Sequence, residues 1–259
     1  MAGPTLIGCA INWFLFGALV VQVYDYHTLF SKKDRTAILA LVYSVFFIEI
    51  IQTALVTDSV WDYVVRQWGT PATLTTCPST AAPIVVFNTT IAAIVQSFFA
   101  WRIAALRKGT GQVAAICIFL ISLVAWVSGL IFADHYRDLG EGLDKIIGLF
   151  PVVITWLALS FSCDCLIAVV MVYILSEARN AAELVQTKVV VKHLIIHAIE
   201  SGVATAIVAA LQLAFFLTMP TNLLHISQLY ILGRLYSNVL LASLNGRHRM
   251  RTLSDDSTP

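Results

Sequence analysis

The chain has 259 residues, 59% of them hydrophobic and only 12% charged, with a formal net charge of +1. A soluble domain carries about 25% charged residues, so a mean hydropathy of +0.84 leaves too little polar surface to coat a water-soluble globule of this size. Near-neutral charge without a basic face also argues against tracking nucleic-acid phosphates, and the partner that composition demands is a lipid bilayer.

A helix needs about 20 apolar residues to cross the hydrocarbon core. Seven stretches meet that need, at about 5–29, 37–57, 81–104, 112–133, 147–175, 189–218 and 222–245. The runs are continuous rather than alternating, which favours helices over a barrel. The expected fold is therefore all-α, a polytopic membrane protein with a single bundle of seven transmembrane helices. The first stretch is too long for a signal-peptide core and lacks a basic lead-in, so it reads as a retained span.

The joints are legible in chain order. Ser31 to Arg35 separates the first two spans. Asp58 to Pro83 is the longest loop, and its first part, 58–68, mixes Val64 and Val65 with Trp and charged residues, as expected of a segment lying along the outer surface. Arg107 to Gly111 is a short turn, and 134–145 is an acidic loop. The polar stretch 176–188 is expected to extend a helix into water, and Pro220-Thr221-Asn222 forms a hairpin. Residues 1–251 read as one transmembrane domain and 252–259 as a short disordered cytoplasmic tail.

Orientation follows from the basic residues. Twelve of the 16 Lys and Arg residues fall on one side: Lys32, Lys33, Arg35, Arg102, Arg107, Lys108, Arg179, Lys188, Lys192, Arg247, Arg249 and Arg251. The other side holds Arg66, Arg137 and Lys145. Cytoplasmic loops carry the excess of positive charge, so the carboxyl terminus is expected inside and the amino terminus outside. Trp61, Tyr63, Trp68 and Tyr136 fall near the expected interfaces, where amphipathic rings concentrate. Of the five cysteines, Cys9, Cys117, Cys163 and Cys165 lie in apolar runs and only Cys77 in a polar loop, so no intrachain disulfide is expected.

Three stretches carry a likeness to a known family. They are Gly3-Pro4-Thr5-Leu6-Ile7-Gly8 opening the first span, Gln96-Ser97-Phe98-Phe99-Ala100-Trp101-Arg102-Ile103 closing the third, and Leu235 to Arg247 closing the seventh. Together they resemble the seven-helix membrane proteins of mushroom-forming fungi that are grouped as a domain of unknown function. The resemblance implies a fungal source and a seven-helix fold, and it implies no activity. Gly246 stands where family members often have Ala.

The charges inside the spans are the candidate site, because an intramembrane ionisable group is costly and usually has a partner or a task. Glu49 sits in mid-span among Phe46, Phe47, Ile48, Ile50 and Ile51, either as an acid for a ligand or proton or as a helix-to-helix hydrogen bond. Arg234 cannot shed its proton and needs an acid or a polar cavity. Asp164, Glu49 and Glu200 are its candidate partners, with Asp164 preferred, in a wet polar pocket rather than a closed pair. Cys163 and Cys165 flank Asp164 but point about 200° apart on a helix, which argues against a shared metal. His193, His197 and Glu200 recur at i, i+4 and i+7 and could face a zinc ion; the plainer reading places His197 and Glu200 along the bundle interior. Asn238 and Asn245, seven residues apart, read first as helix packing, with Asn238 kept among candidate ligand contacts. Asn88-Thr89-Thr90 fits a glycosylation sequon but falls inside a span.

No Lys lies in the seventh span to form a Schiff base, and no Walker loop, dinucleotide glycine pattern or GxSxG elbow is present. No metal or cofactor is expected. The functional expectation is a non-enzymatic sensor, receptor-like or lipophilic-ligand-binding protein with a site at Glu49, Asp164, His197, Glu200, Arg234 and Asn238. The alternative is a membrane-embedded enzyme, resembling terpene cyclases in size and general design, with Glu49 as acid and Asp164 as its helper. A transporter ranks last.

Overall fold

A computed structural model describes residues 2–66, 80–138, 148–181, 185–219 and 224–255. Its helices are α1 (Ala2–Phe30), α2 (Thr36–Trp61), α3 (Ala81–Leu106), α4 (Thr110–Asp138), α5 (Phe150–Ala181), α6 (Val185–Thr218) and α7 (Leu224–Asp255). The seven helices coincide with the seven apolar runs, each longer than the run itself. The described part of the segment expected along the outer surface, 58–66, instead continues from α2 into a π-helical turn over Asp62–Arg66. The polar stretch after 176 does extend α5, to Ala181. α7 continues to Asp255, so the expected domain boundary at 251 falls within the helix.

α1 to α5 each contain a span long and apolar enough to cross a membrane, and α6 adds a shorter apolar stretch, Gly202–Thr218. With five such helices the protein is an integral, multi-pass membrane protein. Its outward surface agrees. Phe14, Phe47, Ile116 and Val169 are exposed, as suits hydrocarbon and not water.

Each helix packs on its neighbours in the chain, α7 closes the ring against α1, and α3 also reaches α5 and α7. Inside and outside are sorted by size and polarity rather than by hydrophobicity. On α1, Thr5, Asn12, Leu19 and Tyr26 recur every seven residues and are fully buried. On α4, Ala115, Ile118, Ser122, Ala125, Gly129 and Ala133 turn inward, all but Ile118 small, while Val113, Ile116, Leu120, Val124, Val127 and Ile131 turn outward. Lipid tails are as apolar as Leu, so small residues gather where backbones must approach. A side chain added at Gly129 would collide with Thr89 of α3. α7 is buried over most of its circumference, from Tyr230 to Leu244. This is why it tolerates Arg234, Ser237 and Asn238 and is the least apolar helix.

Candidate functional site

The intramembrane charges separate into two clusters on opposite sides of α7. The first joins α1, α2 and α7. Arg234 Nη1 donates to Glu49 Oε2, and Nη2 donates to the Glu49 carbonyl at 2.7 Å and to Thr53 Oγ1. Arg234 Nε donates to Asn12 Oδ1 at 2.6 Å. Ser237 donates to the second carboxylate oxygen of Glu49. The guanidinium carbon stands 5.1 Å from the centroid of the Phe16 ring. Both charged side chains are 0% exposed.

Arg234 is thus paired with Glu49 and not with Asp164, and the pair is closed rather than set in a wet pocket. The reason is helical phase. Arg234 and Tyr236 are two residues apart on α7 and point about 200° apart. Arg234 faces α1 and α2, while Tyr236 turns to the other side and meets Asp164. The correction also removes Glu49 as a free acid, since both its oxygens accept hydrogen bonds.

The second cluster lies between α3, α5, α6 and α7. Asp164 Oδ2 accepts from the Tyr236 hydroxyl at 2.5 Å, and Oδ1 accepts from Gln96 Nε2 at 2.9 Å. Asp164 is 4% exposed. Among the described residues no cation contacts it. It borders a cavity of about 40 Å³, whose lining includes Gln96, Phe99, Met171, Thr205 and Tyr236. A cavity needs only about 10–15 Å³ by this measure to hold a water, so the space accepts an ammonium-sized group or two or three waters. Across Tyr236 lies a second space of about 10 Å³, lined by Asn88, Ser160 and Gln212 among others. Among the described residues Gln212 Oε1 has no hydrogen-bond partner. Each space is lined by a few polar side chains among apolar ones.

Asn238 falls in neither cluster. Its Nδ2 donates to the Leu15 carbonyl at 3.1 Å and to the Arg234 carbonyl at 2.7 Å, while Oδ1 accepts from Gln22 at 3.3 Å. One heptad on, Asn245 Nδ2 donates to the Gln22 carbonyl at 2.8 Å. The two amides bind α7 to α1. Asn88 is buried, and its amide donates to the Leu229 carbonyl across the α3–α7 contact. The side chains of His193, His197 and Glu200 lie outside the described residues, as does Cys77. Cys163 is buried with its thiol toward the Ile118 carbonyl, whereas Cys165 is partly exposed. Among the described residues no group of three His, Cys, Asp or Glu side chains could hold a metal ion.

Sequence reasoning missed Asn12, Thr53, Ser237 and Gln96 as members of these clusters. Asn12 and Gln96 carry a signal in hindsight, as single amides embedded in apolar runs. Thr53 and Ser237 carry none, because small hydroxyls in membrane helices commonly bond their own backbone.

Residues 160–249, from α5 through most of α7, match the family of unknown function DUF6534. The match includes Asp164, Arg234 and Tyr236 and supports the resemblance read from the sequence at the level of the family. No curated protein matches the chain, and no solved structure does.

Proposed function

We propose that this integral membrane protein is a non-enzymatic, sensor- or receptor-like protein that binds a lipophilic small molecule through Asp164. The observation that carries this reading is the setting of Asp164: a buried carboxylate at a cavity, bonded among the described residues by the neutral donors Gln96 and Tyr236. A buried carboxylate gains most from a cation, so the ligand is one with a small ammonium head group and an apolar body. The cavity admits the head group, and the body lies against Phe99 and Met171 or out along the helices. In this reading all seven helices cross the bilayer, with the amino terminus outside and the 12 basic residues named above in the cytoplasm. The acid-initiated enzyme is less well supported, because its acid was to be Glu49, which is committed to Arg234 and Ser237.

Thermal unfolding of the protein in nanodiscs, with a panel of lipophilic amines and their matching alcohols, tests the reading. At least one amine should raise the melting temperature well beyond its alcohol, and Asp164→Asn should remove the difference. Amines that act no better than their alcohols, or equally on Asp164→Asn, would refute it.

A further inference from the structure

Two arginines at the basic end of the bundle are paired with acids. Arg107 pairs with Glu177 and stands 5.6 Å from the centroid of the Tyr173 ring. Hydrogen bonding to Tyr173, and then to Glu177, raises the Arg107 pKa above its ordinary value. Arg247 donates to Asp34 at 3.2 and 2.6 Å and to the Leu244 carbonyl at 2.8 Å, with its guanidinium 4.6 Å from the centroid of the Phe30 ring. Asp34 in turn accepts from Tyr26 at 2.9 Å.

Arg102, near the end of α3, breaks this pattern. It is partly withdrawn from solvent, and its one described acceptor is the neutral hydroxyl of Ser243 on α7. Another cation, Arg247, stands one helical turn beyond Ser243 on α7 and repels it. A desolvated cation without a counter-charge is expensive, and the one acid beside Arg247, Asp34, is already engaged by that guanidinium. Exposed Lys32, Lys33, Arg35 and Lys108 ring the same end and add no acid. Arg247 keeps 31% of its side chain exposed, so an anion can reach it from outside the bundle.

We propose that Arg102, Ser243 and Arg247 form a phosphate-binding site at the basic end of α3 and α7. Guanidinium forks match phosphate oxygens two at a time. The Ser243 oxygen accepts from Arg102, and its own proton can be given to a phosphate oxygen. The phosphate belongs either to a lipid head group at the membrane surface or to a soluble phosphate compound, and Asp34 competes with it for Arg247.

Native mass spectrometry of the detergent-solubilised protein, titrated with phosphatidic acid and with phosphatidylcholine, tests the site. Phosphatidic acid should bind in preference, and Arg102→Gln should weaken it about tenfold or more, the usual scale for a lost charge-assisted bond. Ser243→Ala, which leaves the charge in place, should weaken it less. Asp34→Asn should strengthen it by freeing Arg247, an outcome that a merely structural Arg102 does not produce. Lys108→Gln, at an exposed lysine nearby, should leave it unchanged. Competition by inorganic phosphate assigns the site to a soluble phosphate, and its failure to compete assigns it to the lipid. Equal binding by wild type and Arg102→Gln, equal losses in Arg102→Gln and Lys108→Gln, or no phosphate binding in either form overturns the proposal.

Discussion

At the scale of single residues, a guanidinium that cannot lose its proton must be matched wherever it is buried. Arg234, on α7, is matched by one carboxylate, one amide, one hydroxyl and one carbonyl, from two other helices. Removing one member of such a pair strands a charge, at a cost of about 3–5 kcal/mol, whereas removing both leaves apolar packing. Arg234→Leu should therefore lower the melting temperature in detergent more than Arg234→Leu combined with Glu49→Leu. Adding Asp164→Leu to Arg234→Leu should bring no recovery, because Asp164 belongs to the other cluster. If Asp164→Leu rescues and Glu49→Leu does not, the assigned pairing is wrong. The sequence showed that Arg234 needed an acid; it did not show which, since three carboxyls lay within reach of a bundle of unknown rotation.

At the scale of helices, α7 organises the molecule by how closely its neighbours approach. Glycines on it are not equivalent. A Cβ at Gly233 would collide with the Asn88 side chain and come within 3.2 Å of Gln52 Nε2. One at Gly246 would meet nothing within 4 Å. Gly233→Ala should cost about 1–3 kcal/mol, the range for overpacking a tight interior. Gly246→Ala, in the same helix, should be neutral or stabilising by up to about 1 kcal/mol, since Ala gives up less backbone entropy in a helix. Thermal unfolding of the two variants side by side checks this, and equal effects would mean that α7 does not pack on α3 as described. The existence of α7 was readable from its apolar length. Its central position was not: polar residues such as Arg234, Ser237 and Asn238 interrupt its apolar run, and only the neighbouring helices bury them.

At the scale of the whole molecule, the distribution of basic residues sets a direction that is open to experiment. Cysteines placed at Thr73 and Ser257, in a background without accessible thiols, should label differently with an impermeant reagent on intact cells displaying the protein. Thr73→Cys should react and Ser257→Cys should not, from the 12-to-3 split of basic residues across the two sides. The reverse pattern would invert the orientation, and equal labelling would contradict an odd number of crossings. The two buried clusters join different sets of helices. The Glu49–Arg234 lock fixes α1, α2 and α7, while Asp164 and its cavity sit among α3, α5, α6 and α7.

The sequence by itself determined the membrane class, the seven helices and the short list of charges that matter. It could do so because hydrocarbon solvates neither backbone nor charge, so length, apolarity and exceptions to apolarity are written locally in the chain. The tertiary structure alone decided the pairing. Glu49, Asp164 and Arg234 lie more than a hundred residues apart from one another along the chain or on different helices, and their contacts depend on helix rotation. That rotation is set by small residues such as those lining α4 and by amides such as Asn12, Asn238 and Asn245. Their meaning appears only once the opposite helix is in place. A phase difference of two residues on α7 sends Arg234 to Glu49 and Tyr236 to Asp164, and thereby divides one expected polar pocket into two separate clusters.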